Sequence, residues 1–326
     1  MVQTHIPQTG GTALRQLVNA NYEHDEVVHT ERLGVGPAAV LGSVDPASAL
    51  VRAWREYYGS LPAAERSRLR CVCGHQAPFV IDAVTDRPVR AFTMLRDPVD
   101  RVISSYFFML QHADRLPPSN PAVRVLAAMR QRGWGLGDVY RELGGAGDYR
   151  SKLRELDEPA RAQLLTFFNG QIRHLLLPAV TPDDVPPDAD GEVLRDCRDK
   201  AFAMLSKRYV VGTQDRFSQS VRLFADSFGW RRVFEPRVNV GRLRGRREAE
   251  IDQETLSLIR RYNRADAELH AHYSERLRAL PPVGRLTDLR ARGRRSASRM
   301  RAWLELGTAR PGRGRAGERA ARGGAV

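Results

Sequence analysis

The sequence lacks the features that would place it in a membrane, in a fibrous class or among disordered chains. No apolar run reaches the roughly 18 residues that a membrane-spanning helix needs. The chain starts without a basic segment followed by an apolar one, so no signal peptide is predicted. With 27 Gly and 19 Pro in 326 residues, the composition excludes collagen-like chains, and 42% hydrophobic residues exclude disorder of the whole chain.

Cysteine is scarce. The three cysteines, Cys71, Cys73 and Cys197, cannot form a disulfide framework and lack a second pair at metal-ligand spacing. Cys71 and Cys73 alternate inside an apolar stretch, so we predict that both face one side of a strand as reduced core residues. The expected compartment is therefore the cytoplasm, and no metal site is predicted.

Lysine is nearly absent, and the positive charge is carried by arginine and distributed unevenly. Of the net charge of +14, residues 282–326 carry +9, which leaves +5 for residues 1–281. That charge does not indicate nucleic-acid binding, although it favours small anionic ligands. The Arg/Gly/Ala-rich tail at 282–326 is predicted to be mostly disordered. It is suited to peripheral membrane contact through acidic lipid headgroups or to contact with an anionic glycan, and a passive tail is the alternative.

Residues 1–281 are predicted to form one α/β domain, with a parallel sheet flanked by helices. Short, largely apolar runs of the kind found in buried parallel sheets are MVQTHI, RCVCG, AFTML and YVVG, at 1–6, 70–74, 91–95 and 209–212. One helix is expected to begin at Thr12 and another after Asp97-Pro98. Residues 259–277 are expected to form one long amphipathic helix. The region 112–200 is expected to be helical and irregular, and to supply either acceptor-side walls or simple loop variation.

The segment HIPQTGGTAL at 5–14 indicates a strand end, a glycine-bearing turn and a helix start. Gly10 and Gly11 let the backbone approach a ligand and turn its N–H groups towards it. The helix dipole adds positive potential, and Thr9 and Thr12 add hydroxyl donors, so the turn suits an anion. The turn is too short for a nucleoside triphosphatase loop and has no lysine, which argues against a nucleotide kinase.

A second candidate for anion binding lies in FTMLRDPVDRVISSYFF at 92–108. It places Arg96 at the carboxyl end of a strand and Ser104 about two turns into the next helix. Ligands bind outside the carboxyl ends of strands in open parallel sheets, so Arg96 should share a rim with the double-glycine turn. The forked guanidinium and the hydroxyl would bind a second phosphate. A ligand with two separated anionic ends would satisfy both motifs.

HIPQTGGTAL, CGHQAPF (73–79) and LRDPVDRVISSYFF (95–108), in this order and spacing, resemble the polysaccharide and carbohydrate sulfotransferases. The resemblance is greatest to the uronyl 2-O-sulfotransferase-like group and its bacterial relatives. The segments at 167–176, 209–230 and 263–273 support it, so that it spans roughly residues 5–280 with gaps in the middle. It implies a P-loop-like sulfotransferase fold that uses 3′-phosphoadenosine 5′-phosphosulfate (PAPS) without a metal.

The resemblance also implies roles for individual residues. Arg96 and Ser104 would bind the 3′-phosphate. The 5′-phosphosulfate would be held by the first turn, at Gln8, Thr9, Gly10, Gly11, Thr12 and Ala13. His75 would be the general base, because a neutral imidazole just beyond a strand end can take the proton of an acceptor hydroxyl. A structural hydrogen bond is the other interpretation of His75.

Gln8 stands where members of this family usually have lysine. An amide donates a hydrogen bond but does not neutralise the charge that builds up as the sulfuryl group leaves. Losing one such electrostatic contact costs roughly 3–4 kcal/mol of transition-state stabilisation. Three explanations remain open: Gln8 and the helix dipole suffice, a nearby arginine such as Arg15 replaces the charge, or catalysis is weakened or lost.

Two further sets of residues have both a functional and a structural interpretation. Asn169, Gln171 and Arg173 match a polar pattern of the bacterial relatives and either line the acceptor cleft or form a capped helix start. Arg242 and Arg244 resemble a basic loop that covers the adenosine and 3′-phosphate, or else form a solvated basic face.

The expected function is transfer of the sulfuryl group of PAPS to a hydroxyl of a carbohydrate or glycolipid, with His75 as base. The alternative is a weakened or inactive protein of the same fold that binds PAPS, its product 3′-phosphoadenosine 5′-phosphate (PAP) or a glycan.

Overall fold

The computed structural model describes residues 1–30, 49–75, 77–78, 88–145, 147–177, 179–180, 184–187, 191–235 and 251–280. In this part of the chain a five-stranded parallel sheet is flanked by helices, which confirms the predicted α/β class. The predicted tail at 282–326 lies outside the described residues, as do Arg242 and Arg244.

Five short strands build the sheet in the order β2-β3-β1-β4-β5, and all neighbouring pairs are parallel. They are β1 Val2–Thr4, β2 Val27–His29, β3 Cys71–Gly74, β4 Ala91–Leu95 and β5 Tyr209–Thr213. All five carboxyl ends open on one edge. The chain leaves β1 in the direction of β2 and leaves β4 in the direction of β5, so a crevice forms between β1 and β4 at that edge.

Helices connect the strands and cover both faces of the sheet. The helices of the described residues are α1 Gly11–Asn21, α2 Ala49–Ser60, α3 Ala63–Arg68, α4 Pro98–His112, α5 Pro121–Gln131, α6 Leu136–Leu143, α7 Tyr149–Lys152, α8 Glu158–Leu165, α9 Gly170–Leu176, α10 Glu192–Arg208, α11 Phe217–Phe228, α12 Gln253–Tyr262 and α13 Arg264–Arg278. Within these ranges no helix combines the length and the apolar character needed to cross a bilayer.

The side chains of the sheet alternate between two apolar layers, as the period of a strand requires. Phe92 and Met94 of β4 pack with α1 and α11 on one face. Leu95 of β4 and Val211 of β5 pack with α9, α10 and α13 on the other. A further apolar core is formed by helices of the middle region, with α4, α5, α6, α8 and α12 contributing.

Cys71 and Cys73 lie on the α1 face of β3, as predicted. Both thiols are buried and neither is in a disulfide, and their sulfur atoms are 3.2 Å apart. The pair contributes apolar volume beneath α1.

The prediction of one long C-terminal helix was wrong, because Asn263 divides it into α12 and α13. Asn263 has φ −123° and ψ 24°, outside helical geometry. Its buried side-chain amide donates to the carbonyls of Ile259 and Phe167, and its Oδ1 accepts the backbone N–H of Asn169. These bonds from the Asn263 side chain to α12 and to the segment before α9 replace the helical hydrogen bonds lost at the break.

A buried carboxylate caps the start of α9. Asp266 of α13 is fully buried, and its two oxygens accept the backbone N–H groups of Gln171 and Ile172 at 2.9 Å each. Burial raises the pKa of Asp266, and the buried guanidinium of Arg101 and the two backbone N–H donors oppose part of that rise.

Replacing Asp266 with Asn should lower the free energy of unfolding by about 1–3 kcal/mol, because the amide has one acceptor oxygen for the two buried N–H groups of Gln171 and Ile172. Urea unfolding followed by circular dichroism measures the change. The control is Asp226→Asn, which removes one partner of the half-exposed pair with Arg222 and should cost about 1 kcal/mol or less. Equal losses in the two variants would contradict this account of Asp266.

Candidate functional site

The turn after β1 has an unusual backbone conformation. Gln8 has φ 65° and Gly10 has φ 89°, both in the left-handed region. Glycine adopts that region freely, whereas a residue with a side chain pays about 1–2 kcal/mol. Thr9 is buried between them, and its hydroxyl donates to the carbonyl of Ile6 at 2.8 Å. The Thr9 hydroxyl therefore closes the turn from inside.

The helix that follows presents its N-terminus at the carboxyl edge of the sheet. Gly10 is the N-cap of α1, and its carbonyl accepts the first helical hydrogen bond, from the N–H of Leu14 at 3.1 Å. The N–H groups of Gly11, Thr12 and Ala13 precede that bond and have no helical acceptor. Together with the helix dipole they favour an anion at this end of α1.

Arg96 and Ser104 both reach the turn after β1. Nη1 of Arg96 donates to the backbone carbonyl of Gln8 at 2.9 Å, and Oγ of Ser104 donates to Oε1 of Gln8 at 3.1 Å. The two anion-binding motifs therefore meet in the crevice between β1 and β4, on the shared rim predicted for them. They are in direct contact, without a gap between them, because the left-handed Gln8 turns both its carbonyl and its side chain towards α4.

Arg96 is held in place by Gln171. The Arg96 backbone N–H donates to Oε1 of Gln171 at 2.9 Å, and Nε2 of Gln171 donates to the Arg96 carbonyl at 2.8 Å. Gln171 is fully buried on α9. One amide side chain thus satisfies both backbone groups at the point where the chain leaves β4.

Replacing Gln171 with Leu should lower the free energy of unfolding by about 1–3 kcal/mol, because it leaves backbone groups of Arg96 without partners. Gln163→Leu is the control, since Gln163 is also buried but packs against Met109 in the helical core. Urea unfolding of both variants makes the comparison, and equal losses would contradict the role of Gln171.

The remaining residues of the polar pattern are also buried and hydrogen-bonded to backbone. Asn169 donates to the carbonyl of Tyr262 and accepts the N–H of Asp266. Arg173 donates to the carbonyls of Phe168, Val185 and Pro186. The three side chains lie in the packing around α9, and none of them caps the start of that helix. The cap is the carboxylate of Asp266, which the sequence pattern did not indicate.

His75 directly follows β3 and belongs to a cluster of three imidazoles. Its ring stacks on His5 with centroids 4.1 Å apart and meets the edge of His174 at 5.8 Å. Nδ1 of His75 lies 2.5 Å from the backbone carbonyl of His5. A carbonyl oxygen only accepts, so Nδ1 carries the proton and the neutral ring keeps its lone pair on Nε2.

The electrostatics of the cluster keep His75 neutral. Burial lowers the pKa of His75 well below its usual value of 6.5, and the neighbouring His5 and His174 lower it further. Burial likewise lowers the pKa of His174 to about 3, and its buried Nε2 has no hydrogen-bond partner. Sequence reasoning missed His5 and His174. Neither histidine belongs to a chemical pattern of its own. Their positions beside residues of the motifs were the one signal that could have indicated them.

The glycine at the start of α1 makes room for this cluster. A β-carbon on Gly11 would overlap the ring of His5. Gly11→Ala should therefore displace His5 and cost about 1–3 kcal/mol, the usual penalty for overpacking. Gly59→Ala is the matched control, because a β-carbon there meets no atom within 4 Å and helix α2 gains up to about 1 kcal/mol. Thermal unfolding of both variants measures the difference, and equal midpoints would contradict the close approach.

Among the described residues, Arg15 places a positive charge in the same pocket as His75, and it is among the groups that lower the pKa of His75. The side chain of Gln8 is bonded to Ser104 on the other side of β1. The position of Arg15 is therefore compatible with one of the open explanations, in which Arg15 replaces the charge of the missing lysine.

Gln214 is a further residue at this edge that sequence reasoning missed. It follows β5, and its Nε2 lies 4.0 Å from the position of a β-carbon on Gly10. Its Oε1 is buried without a hydrogen-bond partner. An acceptor of this kind beside the turn suits a ligand that carries hydroxyl or amino donors.

Comparisons with known proteins do not name a family. No protein-family model matches the chain, and no curated protein sequence gives a significant match. Among the described residues, no group of three or more His, Cys, Asp or Glu side chains is arranged to hold a metal ion.

Proposed function

We propose that this protein is a PAPS-dependent sulfotransferase with a P-loop-like sulfotransferase fold, acting on a hydroxyl of a carbohydrate or glycolipid. The observation that carries the proposal is the direct contact of Arg96 and Ser104 with the turn after β1, at the sheet edge where the neutral imidazole of His75 follows the neighbouring strand β3. Motifs from two separate segments converge where an open parallel sheet binds its ligands.

The donor groups at the crevice fit a nucleotide with two anionic ends. The first-turn N–H groups at 11–13 and the dipole of α1 suit the 5′-phosphosulfate. The guanidinium of Arg96 and the hydroxyl of Ser104 suit the 3′-phosphate. The unpartnered Oε1 of Gln214 suits a hydroxyl or amino donor of the nucleoside. When bound, PAPS supplies the sulfuryl group.

His75 acts as general base in the proposed reaction. Its Nε2 takes the proton of the acceptor hydroxyl while that oxygen attacks sulfur in line, and the bond from sulfur to the phosphate oxygen breaks to release PAP. The hydrogen bond from Nδ1 to the carbonyl of His5 orients the ring and stabilises the imidazolium that forms. The departing phosphate oxygen gains negative charge next to the N-terminus of α1, where the helix dipole and Arg15 stabilise it.

Gln8 favours a second candidate function, a protein of this fold that binds PAPS, PAP or a glycan with little or no turnover. The enzyme and a PAPS- or PAP-binding protein both predict nucleotide binding, and they differ in the rate of turnover. Substituting Lys for Gln8 adds no backbone strain, since both residues carry a β-carbon at φ 65°.

The deciding experiment measures PAP release by the purified protein with PAPS and a panel of glycans and glycolipids, for the wild type and Gln8→Lys. Turnover by the wild type supports the enzyme. A rate that rises about 100-fold or more in Gln8→Lys identifies an impaired enzyme, the expected size for one restored electrostatic contact. Binding of PAP without turnover in either form supports the nucleotide-binding protein. Absence of PAP binding contradicts both the enzyme and the nucleotide-binding protein.

A further inference from the structure

A polar pocket of about 150 Å³ lies under the first turn of α1, on the β3 side of β1. Its floor is the α1 face of the sheet, where the register aligns Gln3, Cys73 and His29. Its walls include Arg15 of α1 and the stacked rings of His5 and His75. A cavity of this size holds a guest as large as benzene, and a sulfate or phosphate ion is smaller.

Gln3 is the feature of this pocket that the packing of the protein does not explain. It occupies an interior position of the central strand and is 2% exposed, and its buried Nε2 has no hydrogen-bond partner among the residues that the structure describes. Leaving such a donor unsatisfied costs about 1–3 kcal/mol. Its register neighbours on the same face are Cys73 and the apolar Phe92, so the sheet itself has no need of an amide there.

The charges around the pocket are of one sign. Arg15 contributes a guanidinium, and the described residues that line the pocket include no Asp or Glu. Gly11 and Thr12 add the N-terminal turn of α1, an 11-residue helix, and the Thr12 hydroxyl. A cation, a helix N-terminus and an unpartnered amide donor in one cavity favour a ligand that is negatively charged and accepts hydrogen bonds.

We infer that this pocket binds a single tetrahedral oxyanion, of the class of sulfate and phosphate, which accepts hydrogen bonds from Nε2 of Gln3 and the guanidinium of Arg15. The site is separate from Arg96 and Ser104, which lie on the β4 side of β1. It stands whether or not the protein binds a nucleotide. An anion in this pocket lies beside His75. It is either a free ion or the sulfuryl end of a bound donor, and both present tetrahedral oxygens that accept hydrogen bonds.

The test titrates the full-length protein with sodium sulfate against sodium chloride at equal ionic strength, by calorimetry and by thermal unfolding. The variants are Gln3→Leu and Arg15→Gln, and Gln163→Leu is the matched control, a buried glutamine remote from the pocket. We expect sulfate affinity to fall about tenfold or more in the first two and to stay unchanged in the control. Gln3→Leu should be no less stable than the wild type in chloride, because it removes an unsatisfied buried donor.

An equal sulfate response in all four proteins, or none in the wild type, overturns the inference and means that the pocket holds water only. Two further arms distinguish the sources of the anion. Sulfate binding that persists at saturating PAP supports a free-ion site. Tighter binding of PAPS than of PAP, with the difference lost in Gln3→Leu, supports occupation by the sulfuryl end. If the protein binds sulfate in this pattern but does not bind PAP, the anion site is supported and the proposed function is contradicted.

Discussion

Replacing His75 with Asn should lower kcat for PAP release by about 10²–10⁴-fold, the range typical of a general base. Asparagine keeps an N–H that can donate to the carbonyl of His5 but has no basic nitrogen, so the fold and the affinity for PAP should change little. The control is His112→Asn, which alters a partly buried histidine at the end of α4, away from the site. Wild-type kcat in His75→Asn would show that His75 is only structural.

The pH profile provides a second measure of the same residue. The pKa of His75 lies well below 6.5 in the folded protein, so Nε2 already has its lone pair at pH 6.5. The acidic limb of kcat/KM should therefore lie below pH 6.5, and the rate should stay level between pH 6.5 and 8. An exposed histidine would lose half of its activity near pH 6.5. A half-maximal rate near pH 6.5 would contradict the burial of the base.

Replacing Arg96 with Ala should raise the Kd for PAP by about 10- to 150-fold, which corresponds to roughly 1.5–3 kcal/mol for a hydrogen bond to a charged group. Arg96→Lys should give an intermediate value, because it keeps the charge and loses the planar fork. Arg130→Ala is the control, an exposed arginine at the end of α5. Calorimetry gives all four affinities. Equal Kd values for the Ala variant and the wild type would show that Arg96 does not bind the nucleotide.

The sheet was largely predictable because its strands are short apolar runs followed by recognisable turns. β4 was predicted with its observed bounds, Ala91–Leu95, and Asp97 and Pro98 start α4 as expected, with Asp97 accepting the N–H of Asp100. β2 was missed, since two adjacent valines in three residues are too weak a pattern. The break at Asn263 was missed because the apolar spacing continues across it, and only distant backbone partners favour the break.

The candidate site was predictable in its parts and not in their contacts. Parallel strands place Arg96 and the turn after β1 on one edge, and sequence alone supports that much. The left-handed Gln8 brings the two motifs into contact, and φ at a non-glycine position cannot be read from its identity. The backbone bonds of Gln171 and Arg173 were equally hidden, because a polar side chain in a buried helix and one in an open cleft have the same spacing.

The central claim is that two sets of anion-binding groups on one edge of the sheet recognise the two ends of one nucleotide. Calorimetric titration of the wild-type protein with PAP and with adenosine 5′-phosphate tests it most directly. PAP should bind about tenfold tighter or more, because only PAP carries the 3′-phosphate that Arg96 and Ser104 can bind. Equal affinity for the two nucleotides, or no binding of PAP, would contradict the claim.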